Sequence, residues 1–231
     1  MNKAILSTEV PRFASRLQAL GYTVIPSDEI PCNMPYERRH ADLQCLILKD
    51  TAFVLNCCDG LINALSDDYH VIRCGEKFGG SYPDNVCLNA LMLGDRLLCR
   101  VPSLDEKVKA YCERHHIELI HVNQGYTRCS CAMIGDHAVI TADKGITDVL
   151  KQMDYDVLMI GQGSIRLDEA AYGFIGGATG YDPVKRTLYC CGVVRRHPAY
   201  EQIKAFCDSH DTKLVSLSED ELIDIGGILY C

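Results

Sequence analysis

Thiol chemistry is the first possibility the sequence raises, because 14 of its 231 residues are cysteine. A cysteine can close a disulfide, ligate a metal, sense oxidants or attack an electrophilic carbon, and its surroundings decide among these. Metal ligation needs clustered ligands. Only Cys129-Ser130-Cys131 and the vicinal pairs Cys57-Cys58 and Cys190-Cys191 approach that, and no Cys-x-x-Cys is present. Adjacent cysteines chelate one ion poorly, so the sequence points to no metal site and to no cofactor. A redox role for the same pairs requires accessible thiols of low pKa, which their strand-like context disfavours. Cys45, Cys87, Cys99, Cys131 and Cys207 stand inside apolar runs, where cysteine serves as a small buried hydrophobe. Cys231 is set apart, as the last residue after Gly226-Gly227-Ile228-Leu229-Tyr230. Polar residues of the kinds that hold small ligands gather in Arg39-His40-Ala41-Asp42, in Ser81-Tyr82-Pro83-Asp84-Asn85 and at Arg128.

Composition narrows the functions. The formal charge is −8, without a basic cluster, which argues against nucleic acid as a partner and suits a small cationic ligand. The opening Met-Asn-Lys-Ala-Ile-Leu-Ser-Thr-Glu lacks the apolar core and cleavage site of a secretory signal. No apolar stretch approaches the roughly 18 residues of a membrane span. The expectation is a cytoplasmic protein with reduced cysteines, in contact with no membrane.

The elements that must position these residues recur. Helix-period apolar spacing gives way to a short β-rich run five times, over 9–27, 60–74, 103–122, 145–161 and 198–217. Between these lie hairpin patterns at 46–55, 91–98, 132–140 and 174–191, with turn aspartates Asp50, Asp95, Asp136 and Asp182 separated by 45, 41 and 46 residues. Asp and Gly at such turns are favoured by side-chain bonding to the backbone and by access to positive φ. A fifth hairpin is incomplete: residues 226–231 supply one strand, and Lys3–Ser7 at the other terminus can supply its partner. One unit alone cannot bury both its helix and its sheet, but five neighbours can share a core. The expectation is a single α/β domain over residues 1–231, closed by pairing of the terminal strands. Registering the hairpins sets His40 opposite Asn85 and Tyr126, Asp42 opposite Cys87 and Arg128, and Gln44 opposite Asn89 and Ser130. Polar groups converging at equivalent strand starts are the usual mark of a ligand site.

Five such units around a pseudo-fivefold axis resemble the pentein, or guanidine-modifying-enzyme, superfamily, which includes arginine and agmatine deiminases, dimethylarginine hydrolases and amidinotransferases. Three local matches carry the resemblance: Arg39-His40-Ala41-Asp42 to the His-x-Asp of the catalytic members, Gly176-Gly177-Ala178 to their Gly-Gly-Asp, and Gly227-Ile228-Leu229-Tyr230-Cys231 to the segment bearing the nucleophilic cysteine. The resemblance implies a five-bladed α/β propeller. It also implies Cys231 as nucleophile, His40 as general acid/base and Asp42 as the carboxylate that orients a guanidinium, through a covalent thiouronium. Asp84 and Asn85 are further candidates for substrate contacts, and Arg128 for a substrate carboxylate. The ligand implied is a small guanidino or amino-acid-like compound, handled without metal. The same superfamily holds a non-catalytic, ribosome-binding branch, so two readings stand: a cysteine-dependent hydrolase or transferase of a C–N bond, or a binder of a metabolite or protein partner.

Overall fold

Five helices each bury a pair of side chains four residues apart: Phe13 and Leu17, Leu61 and Leu65, Val108 and Cys112, Ile146 and Leu150, Ile203 and Cys207. Residues at i and i+4 stand one above the other on a helix, so each pair forms a single apolar stripe facing a sheet. Two of the five stripes use cysteine where the others use leucine.

The computed structural model describes residues 2–231. Strand β1 (Lys3–Leu6), helix α1 (Pro11–Ala19) and strand β2 (Thr23–Pro26) form the first crossover. A one-turn helix α2 (Ala41–Gln44) leads into the hairpin β3 (Cys45–Leu48) and β4 (Thr51–Leu55), and α3 (Asp59–Leu65) carries the chain to β5 (His70–Cys74). The pattern repeats as β6 (Leu91–Leu93), β7 (Arg96–Cys99), α4 (Glu106–Arg114) and β8 (Glu118–His121). It repeats again as α5 (Thr127–Ser130), β9 (Cys131–Met133), β10 (Ala138–Thr141), α6 (Lys144–Gln152) and β11 (Asp156–Met159). The fourth run is β12 (Thr179–Asp182), β13 (Thr187–Cys190), α7 (Tyr200–Ser209) and β14 (Lys213–Ser216), and β15 (Leu229–Tyr230) ends the chain.

These strands make five three-stranded sheets: β3-β4-β5, β6-β7-β8, β9-β10-β11, β12-β13-β14 and β15-β1-β2. In every sheet the first pair is antiparallel and the second parallel. The expected pairing of the termini is present, with Ala4 opposite Tyr230 and Ile5 opposite Leu229. β15 is shorter than the run 226–231 suggested, because Gly226 and Gly227 hold φ of +76° and +71°, a conformation no extended strand contains.

The repeat extends to backbone detail. Each four-residue-or-shorter hairpin turn carries one left-handed residue, at Lys49, Gly94, Gly135 and Arg186. Helices α4 and α6 are capped by Asp105 and Asp143, whose side chains accept from Lys107 N and Ile146 N at 2.8 and 2.9 Å, satisfying amides the helix leaves free. The middle strands β4, β10 and β13 are buried along their whole length. The third strand of each sheet is largely exposed or half-buried. Among the described residues no helix is long and apolar enough to cross a membrane. All fourteen cysteines are unpaired, and eleven are buried, including the five expected to be.

Candidate active site

The segments that lead into the first strand of each sheet lie together. Glu37 Oε1, ahead of β3, accepts from Asn85 Nδ2, ahead of β6, at 2.8 Å. Asn89 Nδ2 contacts Cys129 Sγ, ahead of β9, at 3.1 Å. Cys129 O accepts from Gly177 N, ahead of β12, at 3.0 Å, and Gly177 O from Gly227 N, ahead of β15, at 2.7 Å. Gly226 O accepts from Asp42 N at 3.2 Å, back in the first lead-in. Hydrogen bonds thus join all five lead-ins in a cycle.

Two of these lead-ins are one-turn helices where the sequence suggested strand starts. His40 is the residue before α2, with its carbonyl accepting from Leu43 N, and Cys129 lies inside α5. Four residues carry no readable period, so pattern alone could not separate such a turn from a strand start.

Inside the cycle, Cys129 Sγ donates to Asp42 Oδ2 at 2.8 Å. The ligand atoms of His40, Asp42 and Cys129 all lie within 4.8 Å of one another, and the three residues are 5%, 1% and 1% exposed. Asn89 fixes the arrangement from both sides: its Nδ2 donates to Asp42 O at 3.0 Å, and its Oδ1 accepts from Arg128 N and Cys129 N at 2.7 and 3.3 Å. Asp224 Oδ1 stands 3.9 Å from His40 Nδ1, and its carboxylate is held by Phe174 N at 2.8 Å and Gly226 N at 2.9 Å. Two glycines make room for these groups. A Cβ on Gly177 would come 2.0 Å from Asp224 Oδ1, and one on Gly226 would come 2.3 Å from His40 Cα. Arg128 turns its guanidinium to the carbonyls of Cys131, Gly176 and Ile228 at 3.3–3.5 Å.

Aromatic rings stack alongside. Tyr126 donates to Glu37 Oε2 at 3.1 Å, and its ring lies between Tyr82 at 5.7 Å and Phe174 at 6.0 Å, with interplanar angles of 21° and 28°. Tyr82 is 48% exposed, so the stack runs from the buried cluster to solvent. A cavity of about 110 Å³ adjoins it, lined by Ser130, Asp143, Gln162, Tyr172 and Phe174 among others.

The electrostatics follow from burying anions. Loss of hydration pushes the Asp42 carboxyl up to about 6; His40, the Cys129 thiol and Arg128 oppose that, and Asp224 reinforces it. Burial beside Asp42 and Asp224 holds the Cys129 thiol well above its ordinary value, so it remains protonated and donates its proton toward Asp42. Among the described residues, two buried acceptors of this cluster, Asp42 Oδ1 and Asn85 Oδ1, have no donor. Leaving such an atom unsatisfied costs about 1–3 kcal/mol. The cluster has more acceptors than donors, and a donor-rich cation is its chemical complement.

A family model described as a family of unknown function, DUF6873, matches residues 5–229. The chain belongs to that family. No curated protein sequence matches the DUF6873 chain. Solved structures do resemble it. A cysteine-to-serine mutant of the Pseudomonas aeruginosa dimethylarginine hydrolase DDAH, complexed with citrulline, shares 11% identity at a TM-score of 0.58, over 99% of this chain and 98% of that one. An agmatine deiminase mutant from C. jejuni with substrate bound shares 10% identity at a TM-score of 0.55, over 99% and 92%. At these identities the likeness is one of fold, and the fold is the pentein fold.

The DUF6873 structure gathers four of the six residues singled out from sequence. His40, Asp42, Asn85 and Arg128 lie in or against the cluster. Cys231 and Asp84 do not. Cys231 pairs its backbone with Lys3 at 3.0 Å in both directions and packs in the apolar cluster with Cys45 and Tyr69. The lead-in holding His40 meets β1 at its opposite end, where Leu6 O accepts from Ser27 N and Ser27 Oγ bonds Arg39 O. Three strand residues at roughly 3.3 Å each put about 10 Å between the two ends. Asp84 is exposed and lines a separate cavity with Cys87, Arg100 and Asp105. Sequence reasoning missed Glu37, Asn89, Cys129 and Asp224. Asn89 did fall in the register of polar lead-in residues. Cys129 directly follows Arg128, the registered partner of Asp42, and that adjacency is the signal in the sequence that points to it.

Proposed function

We propose that the chain hydrolyses, or transfers a group across, a C–N bond of a small guanidino or amidino compound, with Cys129 in the role expected of Cys231. One observation carries this reading: a buried thiol bonded to a carboxylate, beside an imidazole, among acceptors that lack donors. The pentein fold of DDAH and agmatine deiminase supports it. The cycle of lead-ins also supports reading the five sheets as blades of a propeller, with this cluster on its axis.

In the proposed reaction a guanidinium pairs with Asp42 and Asn85 through their free oxygens. Its positive charge stabilises the thiolate, and the Cys129 proton passes along the existing hydrogen bond to Asp42 Oδ2. The sulfur attacks the guanidinium carbon, forming a C–S bond. The departing amine takes a proton from His40 as the C–N bond breaks, leaving a thiouronium on Cys129. Water then attacks the same carbon and gives its proton to His40. The C–S bond breaks, the product's hydroxyl proton passes to solvent, and the thiolate recovers its own proton from Asp42. With an amine in place of water the same steps transfer an amidino group.

A panel of guanidino and amidino compounds tests this, with released ammonia or amine as the readout and a chelator present throughout. The expected result is turnover of at least one compound, abolished in Cys129→Ser and retained in Cys231→Ser. Turnover surviving in Cys129→Ser defeats the assignment.

A second reading, binding without turnover, is favoured by the strongly raised Cys129 thiol, which disfavours a nucleophile unless a cation is bound. It predicts a thermal shift that follows ligand concentration with no product formed.

A further inference from the structure

We propose that His40, Asp42 and Cys129 form a binding site for a thiophilic divalent metal ion of the zinc class. The three residues arrive from two lead-ins and offer one imidazole nitrogen, one carboxylate oxygen and one sulfur within 4.8 Å of one another. Nitrogen, oxygen and sulfur together are a zinc donor set, with metal–ligand distances of about 2.0–2.3 Å and ligand separations of roughly 3.3–3.8 Å in a tetrahedron. The 2.8 Å bond between Cys129 Sγ and Asp42 Oδ2 opens as the ion enters between them.

An independent observation points the same way. Asp42 Oδ1 is a buried carboxylate oxygen with no partner, in a residue 1% exposed. Such an atom calls for a cation or a donor. The surroundings already resemble a second coordination shell. Asn89 Nδ2 lies 3.1 Å from the sulfur, and the Asp224 carboxylate stands 3.9 Å from His40 Nδ1, a nearby anion of the kind that supports a metal-bound imidazole. A thiolate among the ligands selects zinc-like ions over magnesium or calcium. Binding displaces the Cys129 proton to solvent and replaces the S–H bond with a sulfur–metal bond. Three protein ligands leave one coordination position open, the arrangement of reactive rather than purely structural zinc sites.

The test uses the full chain, stripped of metal by dialysis against chelator and titrated with Co²⁺ and then Zn²⁺. The expected result is one ion per chain, a near-ultraviolet thiolate-to-cobalt charge-transfer band, and loss of that band on adding Zn²⁺. The band is expected to vanish in Cys129→Ser and to persist in Cys57→Ser and Cys231→Ser. Asp224→Asn is expected to weaken binding by roughly 10–100-fold while keeping the band. The wild-type titration stands even if Cys129→Ser fails to fold. No band on wild type, or a band that survives in Cys129→Ser, overturns the proposal. Because no substrate is present, this result is separable from the fate of the hydrolase reading, which is assayed with chelator.

Discussion

Asp42→Asn is expected to stabilise the protein at neutral pH, although it removes a charged group from its centre. Asp42 titrates at about 6 in the folded chain against an ordinary 3.8, a gap of 2.2. At about 1.36 kcal/mol per pKa unit, that corresponds to roughly 3 kcal/mol. The sign follows from proton linkage. Below pH 3.8 both states hold the proton, and Asp42 contributes no difference. Between 3.8 and 6 the unfolded chain releases its proton while the folded chain keeps it, so stability falls as pH rises. Above 6 the full penalty is present. Asparagine has the same shape, can still accept the Cys129 thiol, and carries no charge at any of these pH values. The assay is urea unfolding followed by far-ultraviolet circular dichroism from pH 4 to 8, since the chain has no tryptophan. The stability of wild type relative to Asp42→Asn should decline by about 2.4 kcal/mol across that range, the rest being lost below pH 4, and the comparison removes the contribution of every group the two proteins share. Parallel curves would show that Asp42 is not a desolvated anion and would remove the electrostatic case for a cation site. A bound guanidinium should restore much of the loss above pH 6.

Two further outcomes are expected. Asn89→Ala strands Arg128 N, Cys129 N and Asp42 O together and should lower unfolding stability by about 2–4 kcal/mol, read as a shift of the urea midpoint at constant slope. Gly226→Ala should cost more than Gly21→Ala although both have positive φ, +76° and +88°. Gly21 has nothing within 4 Å of a Cβ and should lose only about 1–2 kcal/mol of conformational strain. At Gly226 a further 1–3 kcal/mol of overpacking against His40 is expected, and equal losses at the two positions would refute that account.

The repeat was legible in the sequence because it is written in local signals. The i,i+4 apolar pairs, the β-rich runs after them and the turns around Asp50, Asp95 and Asp136 are all short-range, and each appears as expected. Pairing of the termini was legible by elimination, since residues 226–231 lacked a partner nearby. The site was only half legible. His40 and Asp42 belong to one short motif, and Asn85 and Arg128 fell into the hairpin register. Cys129 and Asp224 owe their positions to contacts across units, Asn89 with Cys129 and His40 with Asp224, which no local pattern encodes. Cys231 lies apart from the cluster for a backbone reason: pairing with Lys3 holds it at the end of β1 away from the lead-in that carries His40, so nearness in sequence to the last lead-in does not bring its sulfur to the cluster. The abundance of cysteine likewise misdirects, because Cys112 and Cys207 are apolar packing residues in helix stripes.

The demands of the fold alone do not account for the cluster. Each sheet needs only a turn to enter its first strand, and the fourth lead-in shows how plain that turn can be, with Gly176 and Gly177 packed against the carbonyls of α5 and the carboxylate of Asp224. The first and fifth lead-ins instead carry Glu37, Asp42 and Asp224, each 3% exposed or less, while Arg128 of the third turns its guanidinium to backbone carbonyls. Burying charge without full pairing is costly, and well-packed apolar residues usually stabilise as much or more. The packing shows that the chain gives up space to hold these groups: Gly177 and Gly226 are positions where a single added carbon would collide with Asp224 or His40. A cluster that destabilises its own fold near neutral pH, and that small residues are placed to accommodate, makes physical sense where an incoming cation supplies the missing charge.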